Sequence, residues 1–531
     1  MRAMLEFGGD VKTGYVIAVD AGTGSGRAVL FNLEGQQVAV TQEEWSHSSN
    51  PAHPGSMNFD WVANWALLAR AIRKVLHDSG VSPSEVLGVS ATSMREGIVL
   101  YDSGGQELWA CANVDARAGA EVRALSQGQP QAERAAYESS GQTFALAAQP
   151  RLLWVRDHLP EVYERTSHVN MISDWVLTKL SGEIASDPSN GCTTGIFNLE
   201  RRQFAPELAR AVGLRDDIFP HVFEPGTVIG KVHKAASEAT GLLEGTPVVM
   251  GGGDAQLGCV GLGVVRPGQT AVLGGTFWQQ EINLPHAMTD PSMNVRVNCH
   301  ATPDAWQAET IVFFAGQAMR WFRDAFCELE VAQAKREGTD AYAILERKAS
   351  EVPPGSNGIL PIFSDEMRYA NWYHAAPSLL NLNLDALRCG KAAIFRALQE
   401  NAAIVTAANL ERVGAFAGVS SETLTFAGGA SKGALWCQIL ADVTGKNVRV
   451  PVVTEATAFG TAIAAGVGAK AYSSLAEAGE SLVRWDREYT PNAEHHQTYL
   501  EVRHRWHEAY AAQRSLVDAG ITTSLWKAPG L

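Results

Sequence analysis

The first regular pattern of apolar and polar positions is YVIAVD, residues 15 to 20, a β-favouring run that ends in an acid. Glycine-rich GTGSG follows, then a second apolar run, RAVLFN at residues 27 to 32, a turn at Glu34-Gly35, and QQVAVTQEEW. This predicts strand, tight turn, strand and a third strand. It excludes a dinucleotide-type or Walker loop, whose glycines must open a helix. A similar pattern returns midway, where TPVVMGGGD (246 to 254) is followed by GQTAVLGGTFWQQ (268 to 280), with two runs flanking a Gly-Gly-Thr turn. The recurrence predicts two related domains, 1–245 and 246–531, with a boundary near Gly245 and a helical tail at the end.

Between these openings the period changes. Residues 61 to 77, WVANWALLARAIRKVLH, carry apolar side chains every three or four positions and predict an amphipathic helix. Short strands are expected at Val86 to Ser90 and Thr423 to Ala427. FAGGASKGALWCQILADVTG (426 to 445) reads as a strand, a Gly428-Gly429 turn and a helix beginning near Ser431, a good cap. The small residues of EATAFGTAIAAGVGA (455 to 469) suit close helix packing. Strands and helices mix throughout, so the class is α/β.

Composition narrows the function. A chain of 531 residues is long enough for two large domains, and 46% hydrophobic with 19% charged residues is a globular balance. With 43 Lys plus Arg against 57 Asp plus Glu, the net charge of −14 opposes diffuse attraction to nucleic acid or anionic membrane. The N-terminal MRAMLEFGGDVKTGY has acids and glycines where a signal peptide needs an apolar run, and no apolar stretch reaches membrane length, so a cytoplasmic protein is expected. The seven scattered cysteines contain no Cys-x-x-Cys pair and read as reduced. HRWHE, with His504, His507 and Glu508, lacks zincin spacing and reads as a solvated helix face, and His495-His496 as polar surface.

On an acidic protein an anionic phosphate must be held locally, by backbone N–H groups that glycine allows to approach closely. The turn Gly22-Thr23-Gly24-Ser25-Gly26 offers this, with the Thr23 and Ser25 hydroxyls as further donors. Asp20 would repel phosphate, and its fitting task is to hold Mg2+ through water. Taken alone, the turn reads equally as a glycine-rich hairpin.

Four motifs, DAGTGSGRAVLF, GGGDAQLGCVGLG, GGTFW and FAGGASKG, resemble in order and spacing those of the FGGY carbohydrate kinases, over roughly residues 15 to 470. That family is a branch of the actin, hexokinase and heat-shock-protein ATPase superfamily. The resemblance implies two actin-like (ribonuclease H-like) ATPase domains around a central cleft, sugar bound mainly by the first and ATP with Mg2+ mainly by the second. SMREGIVLYD, WACANVDARA, MISDWV, DPSNGCTTG, GGTFWQQ, IFSDEMRY and TTSLWKAPGL are similar to one branch of the family. Its acceptor is linear 4,5-dihydroxy-2,3-pentanedione, a quorum-sensing signal precursor phosphorylated at its terminal hydroxyl.

Position by position, the resemblance implies that Asp254 is the catalytic base and shares the Mg2+ with Asp20. As a bare residue, Asp254 also reads as a helix N-cap. Arg95 and Glu96 match the pair that binds substrate hydroxyls, with Asp115, Arg117 and Asp174 as further candidates. A buried ion-pair network is the competing reading for Arg117 and Asp174. Thr23, Gly24, Ser25 and Arg27 match the first phosphate turn, Gly275 and Thr276 the second, and Gly428, Gly429 and Lys432 the adenosine motif. Ala255, where glycerol kinases carry glutamine, and Asn113, where xylulose kinases carry tryptophan, argue against either activity. The rivals are a kinase for another ketopentose or polyol and a non-catalytic ATP switch. A phosphocarrier of the sugar phosphotransferase system, such as HPr, is the regulatory partner the resemblance suggests.

Overall fold

The computed structural model describes residues 14–453 and 455–530. The N-terminal residues 1–13, expected not to form a signal peptide, lie outside the described residues. Two large sheets organise the chain. The first has six strands in the order Val228–Lys231, Pro247–Gly253, Val86–Ser93, Tyr15–Ala21, Ser25–Asn32 and Gln37–Glu44. The second has seven, in the order Arg296–Cys299, Trp306–Val312, Trp278–Leu284, Thr270–Gly274, Thr423–Ala427, Asn447–Pro451 and Trp485–Tyr489.

The two sheets share a plan. In each, a strand leads through a glycine turn into an antiparallel partner, Tyr15–Ala21 into Ser25–Asn32 and Thr270–Gly274 into Trp278–Leu284. In each, the leading strand also takes a parallel neighbour, Val86–Ser93 in one and Thr423–Ala427 in the other. The expected opening meander is present, and so is the helix after it, Trp61–Ser79. Asp60 accepts from the Ala63 N–H at its start, and Gly80 closes it in a left-handed conformation. A smaller five-stranded sheet, Ser48–Asn50 to His168–Met171, is inserted in the first half.

The boundary expected near Gly245 falls one strand too early. Pro247–Gly253 runs parallel to Val86–Ser93 and belongs to the first sheet, so the chain leaves that domain only after Gly253. The next segment is the helix Asp254–Gly261, which packs against the helix Ala456–Gly468. This second helix follows the last parallel strand of the second sheet, yet it lies on the first sheet, with Phe459 and Ile463 in one core with Val16, Val29 and Phe31. Small residues make the helix pair possible. A Cβ on Gly460 would sit 1.8 Å from the Leu257 carbonyl oxygen, and one on Gly261 2.1 Å from that of Ala456.

Two further expectations are corrected. The helix after the Gly428-Gly429 turn begins at Ala434, because Gly429–Lys432 forms a tight 3-10 turn first, and the Ser431 hydroxyl donates back to the Gly428 carbonyl. His495 and His496 are not free surface groups, since their Nδ1 atoms meet the Asp442 carboxylate and carbonyl at 2.9 and 2.8 Å. On the same long helix, Ala493–Asp518, His504 and Glu508 are exposed as expected, but His507 turns to Glu366 at 2.7 Å. All seven cysteines are free. No helix of the described residues is long and apolar enough to cross a membrane.

The crossing of backbones at Gly460 sets a test. Gly460→Ala gains about 1 kcal/mol of helix propensity but forces a methyl into a carbonyl, a net loss of roughly 1–3 kcal/mol. A lowered melting temperature is expected, and an unchanged one would show that the two helices can separate at no cost.

Candidate active site in the interdomain cleft

Asp254 sits where the halves meet, as first residue of its helix directly after the last strand of the first sheet. Its Oδ1 accepts from the Ala255 N–H at 2.8 Å, but Gly253 occupies the N-cap position, so the capping reading of Asp254 is not realised. The side chain keeps 41% of its surface open, while Arg95 Nε approaches Oδ1 at 3.5 Å. Burial pushes the Asp254 carboxyl above the usual carboxylate range, Arg95 pulls it down, and Glu96 and Glu309 push it up again.

Arg95 is the hub. It is almost fully buried, and its Nη1 donates to Glu309 Oε2 from the second sheet. Glu309 also accepts from Arg296 Nη1 at 3.3 Å and Asn298 Nδ2 at 3.2 Å. Arg296 in turn donates to Glu96 Oε1 and to Gln142 Oε1, so each member of the Arg95-Glu96 pair is tied across the cleft. Glu96 itself adopts a left-handed backbone at φ 63°, which turns its side chain away from the strand direction. Glu281, Glu309 and Arg296 stand directly opposite one another on three adjacent strands. Two buried glutamates cannot both ionise at that spacing. Burial and the facing Glu309 push Glu281 well up, making it the neutral acid, whereas Arg95 and Arg296 hold Glu309 below its usual range against the cost of burial.

Asp20 lies in the same region. Its carboxyl is pushed up to about 6, first by burial and then by the fields of Asp254 and Glu455, with Arg27 opposing. Arg27 bridges Asp20 at 3.3 Å and Glu455 at 2.5 Å, so this candidate serves the carboxylates beside the turn. The turn itself is closed by Gly22 N–H to the Ser25 carbonyl at 2.9 Å. Trp45 grips it through its backbone N–H to Gly24 O and its indole N–H to Gly22 O, and His47 Nε2 lies 2.7 Å from Thr23 O.

A second recess opens in the other half, a cavity of about 690 Å³ lined by Gly275, Thr276, Gly429 and Lys432 of the expected motifs. Gly428 stands just behind, at φ 96°, where a Cβ would lie 2.7 Å from the Gly274 carbonyl oxygen. Only glycine tolerates both the angle and the approach. Arg320, Arg323, Tyr342 and Glu346 also line the recess, and the sequence reading missed all four.

Family profiles described as the FGGY family of carbohydrate kinases, N-terminal and C-terminal domains, match residues 15–261 and 284–469. The chain belongs to the FGGY family of carbohydrate kinases. It is 58% identical to the autoinducer-2 kinase of Salmonella paratyphi B over 518 residues, 97% of this chain and 98% of the relative. The corresponding Escherichia coli autoinducer-2 kinase is 57% identical over the same shares. Among solved structures, xylulose kinase from Rhodospirillum rubrum superposes with a TM-score of 0.83 at 23% identity, covering 95% of this chain and all of that one, which shows the fold.

Three of the expected substrate residues of this FGGY kinase come out as framework. Arg117 donates to both carboxylate oxygens of Asp115 and to Asn58, and its guanidinium lies 5.1 and 4.8 Å from the Trp109 and Trp154 ring centres. Asp115 also accepts from the Met57 N–H at 2.6 Å, so the pair is consumed in holding its own loop. Asp174 accepts from Met171 N–H and Ser186 Oγ, and burial with neighbouring Asp187 pushes it well above the usual range. For Arg117 this is the buried ion pair that competed with the substrate role, whereas Asp174 is held by hydrogen-bond donors. Arg151, unforeseen, donates to the carbonyls of Glu96, Asn113 and Asp115 and so fixes the loops on which the candidates stand. Asn113 reaches the first turn, accepting from Thr23 Oγ1 at 3.3 Å.

Removing the hub's anion tests this network. Glu309→Gln leaves Arg95 and Arg296 short of a counter-charge, at a cost of about 3 kcal/mol. A lower melting temperature and a lower kcat are expected, and a variant equal to the parent in both would show that Glu309 is not the anion that holds Arg95.

Proposed function

We propose that the chain transfers the γ-phosphoryl group of ATP to the terminal C5 hydroxyl of linear 4,5-dihydroxy-2,3-pentanedione, giving phospho-autoinducer-2 and ADP in the cytoplasm. The observation that carries the reading is Asp254, a partly open carboxylate of raised proton affinity at the junction of the two glycine-turn domains. The 57–58% identity to autoinducer-2 kinases over nearly the whole chain supports the choice of acceptor.

The chemistry asks little covalent work of the protein. Asp254 accepts the proton of the C5 hydroxyl as that oxygen bonds to phosphorus, and the bond from phosphorus to the bridging oxygen of ADP breaks. A base poised above the ordinary carboxylate range accepts that proton more readily. Arg95 and Glu96 orient the acceptor, whose two carbonyls accept hydrogen bonds and whose hydroxyls both donate and accept. Thr23, Gly24 and Ser25 on one side, Gly275 and Thr276 on the other, hold the phosphates. Gly429 and Lys432 border the adenosine, and Gly428 keeps the turn open beside it. Asp20 and Asp254 form a donor set that fits Mg2+, which binds few carboxylates and keeps several waters. When bound, the ion neutralises charge on the phosphates. Closure of the halves excludes water from the transfer. A phosphocarrier such as HPr is the proposed regulator, tested by whether the purified pair associates.

Asp254→Asn is expected to lower kcat by roughly 10²–10⁴-fold with ADP affinity preserved; near-parental turnover would remove the base assignment. Arg95→Ala is expected to raise KM for the acceptor, and an unchanged value would take Arg95 out of the pocket. ATP consumption with the dione, xylulose, ribulose and glycerol decides the acceptor. The dione is expected to give the highest kcat/KM, and a larger value for any of the others would overturn the choice.

A further inference from the structure

Two motifs have no part in the reaction above: IFSDEMRY at residues 362 to 369 and the final TTSLWKAPGL. The structure brings them together. After the helix Ala493–Asp518 the chain turns back and pairs with the loop that follows the first motif. The Ala528 N–H donates to the Trp372 carbonyl at 2.9 Å, the His374 N–H donates to that of Trp526 at 3.2 Å, and Tyr373 and Lys527 form an antiparallel bridge. Ala528 is buried with Tyr137, Met293, Met367, Tyr369 and Trp372. Gly530 lies against the first-domain helix Gly119–Gly128, where a Cβ would come within 2.6 Å of Val122.

Trp526 points inward from this segment. Its ring stacks on Phe313 with centres 4.6 Å apart at 30°, and Trp372 stands edge-on to both rings, 5.3 Å from Trp526 and 4.6 Å from Phe313. Phe313 in turn lies 5.0 Å from Phe277, the residue after Gly275-Thr276 in the second phosphate turn. The backbone makes the same connection. Ser364 of the first motif donates to the Phe313 carbonyl, Phe314 adopts a left-handed φ of 59°, and the helix that follows starts at Ala315 with Gly316 in its first turn. The Gly316 and Gln317 N–H groups both donate to the Thr276 carbonyl, at 3.1 and 3.3 Å. A Cβ on Gly316 would sit 2.3 Å from the Gly275 carbonyl oxygen, so the helix start and the turn are in direct backbone contact.

We propose that the segment Ser524–Gly530 is a strap that positions the second phosphate turn, with Trp526 as the positioning residue acting through Phe313 and Phe277. The proposal rests on reading that turn as part of the nucleotide site. Aromatic stacks of this kind are geometry-specific, and a ring removed from the far end takes away the stacked partner of Phe313, which then keeps only its edge-on and tilted neighbours Trp372, Phe314, His374 and Phe277. The strap also reaches the first domain at Val122, so the turn is braced against both halves.

Calorimetric titration with ADP, together with KM for ATP and for the acceptor, tests this. Trp526→Ala is expected to weaken ADP binding and raise KM for ATP by about tenfold, with KM for the acceptor little changed, and Trp526→Phe is expected to restore most of the affinity. A role confined to overall stability would lower the melting temperature and leave the ADP affinity of the folded protein alone, and that result overturns the strap. Should Trp526→Ala fail to fold, Trp526→Leu decides in its place, since parental ADP affinity in that variant overturns the proposal equally. Absence of ADP binding to the unaltered protein would instead overturn the nucleotide reading and the strap with it.

Discussion

A guanidinium buried between two domains must be neutralised where it stands, and Arg95 is neutralised from both sides of the cleft. Glu309 of the second sheet accepts from it, and Asp254 at the junction approaches it. Much of the surrounding arrangement follows from this demand, since an isolated ion at that depth would cost several kcal/mol. Glu309 must be ionised, so Glu281 opposite it must be neutral. Arg296 then balances the remaining charge of Glu96. The outcome is a polar seam across three strands that joins the halves and leaves the open part of Asp254 facing the cleft.

Packing supplies the rest of what positions Asp254. Asp254 begins a helix that lies in backbone contact with Ala456–Gly468, and this contact depends on Gly261 and Gly460. The same second helix carries residues into the core of the first sheet, so Asp254 is held by segments some two hundred positions apart in the chain. The second recess is built on similar terms, with Gly316 and Gly428 letting their backbones approach the Gly274-Gly275 turn.

Much of this was legible in the sequence. The glycine turns and their flanking strands announce themselves because alternation and glycine are local signals, and the two related sheets bear out the recurrence that was read from them. The boundary at Gly245 was misplaced because nothing in the composition of Pro247–Gly253 tells which sheet it will join; that is decided by parallel pairing with Val86–Ser93. The helix start at Ser431 failed because a 3-10 turn precedes the helix. Arg296 and Glu309 were missed although the alternation in VRVNCH and WQAETIV shows polar side chains on one face of each strand. Only their register, Arg296 opposite Glu309, makes that face a charge seam. Asp115 and Arg117 sit two residues apart, and the sequence could not say that they would satisfy each other. Trp526 lies far from the turn it braces, and only the fold brings it to Phe313.

The most direct test of the account is a double-mutant cycle on kcat/KM between Arg95 and Glu309. If the two act as one unit around Asp254, Arg95→Ala in the Glu309→Gln background should add little, with a coupling of at least about 1 kcal/mol. Losses that simply add would contradict the claim that Glu309 acts on the site through Arg95.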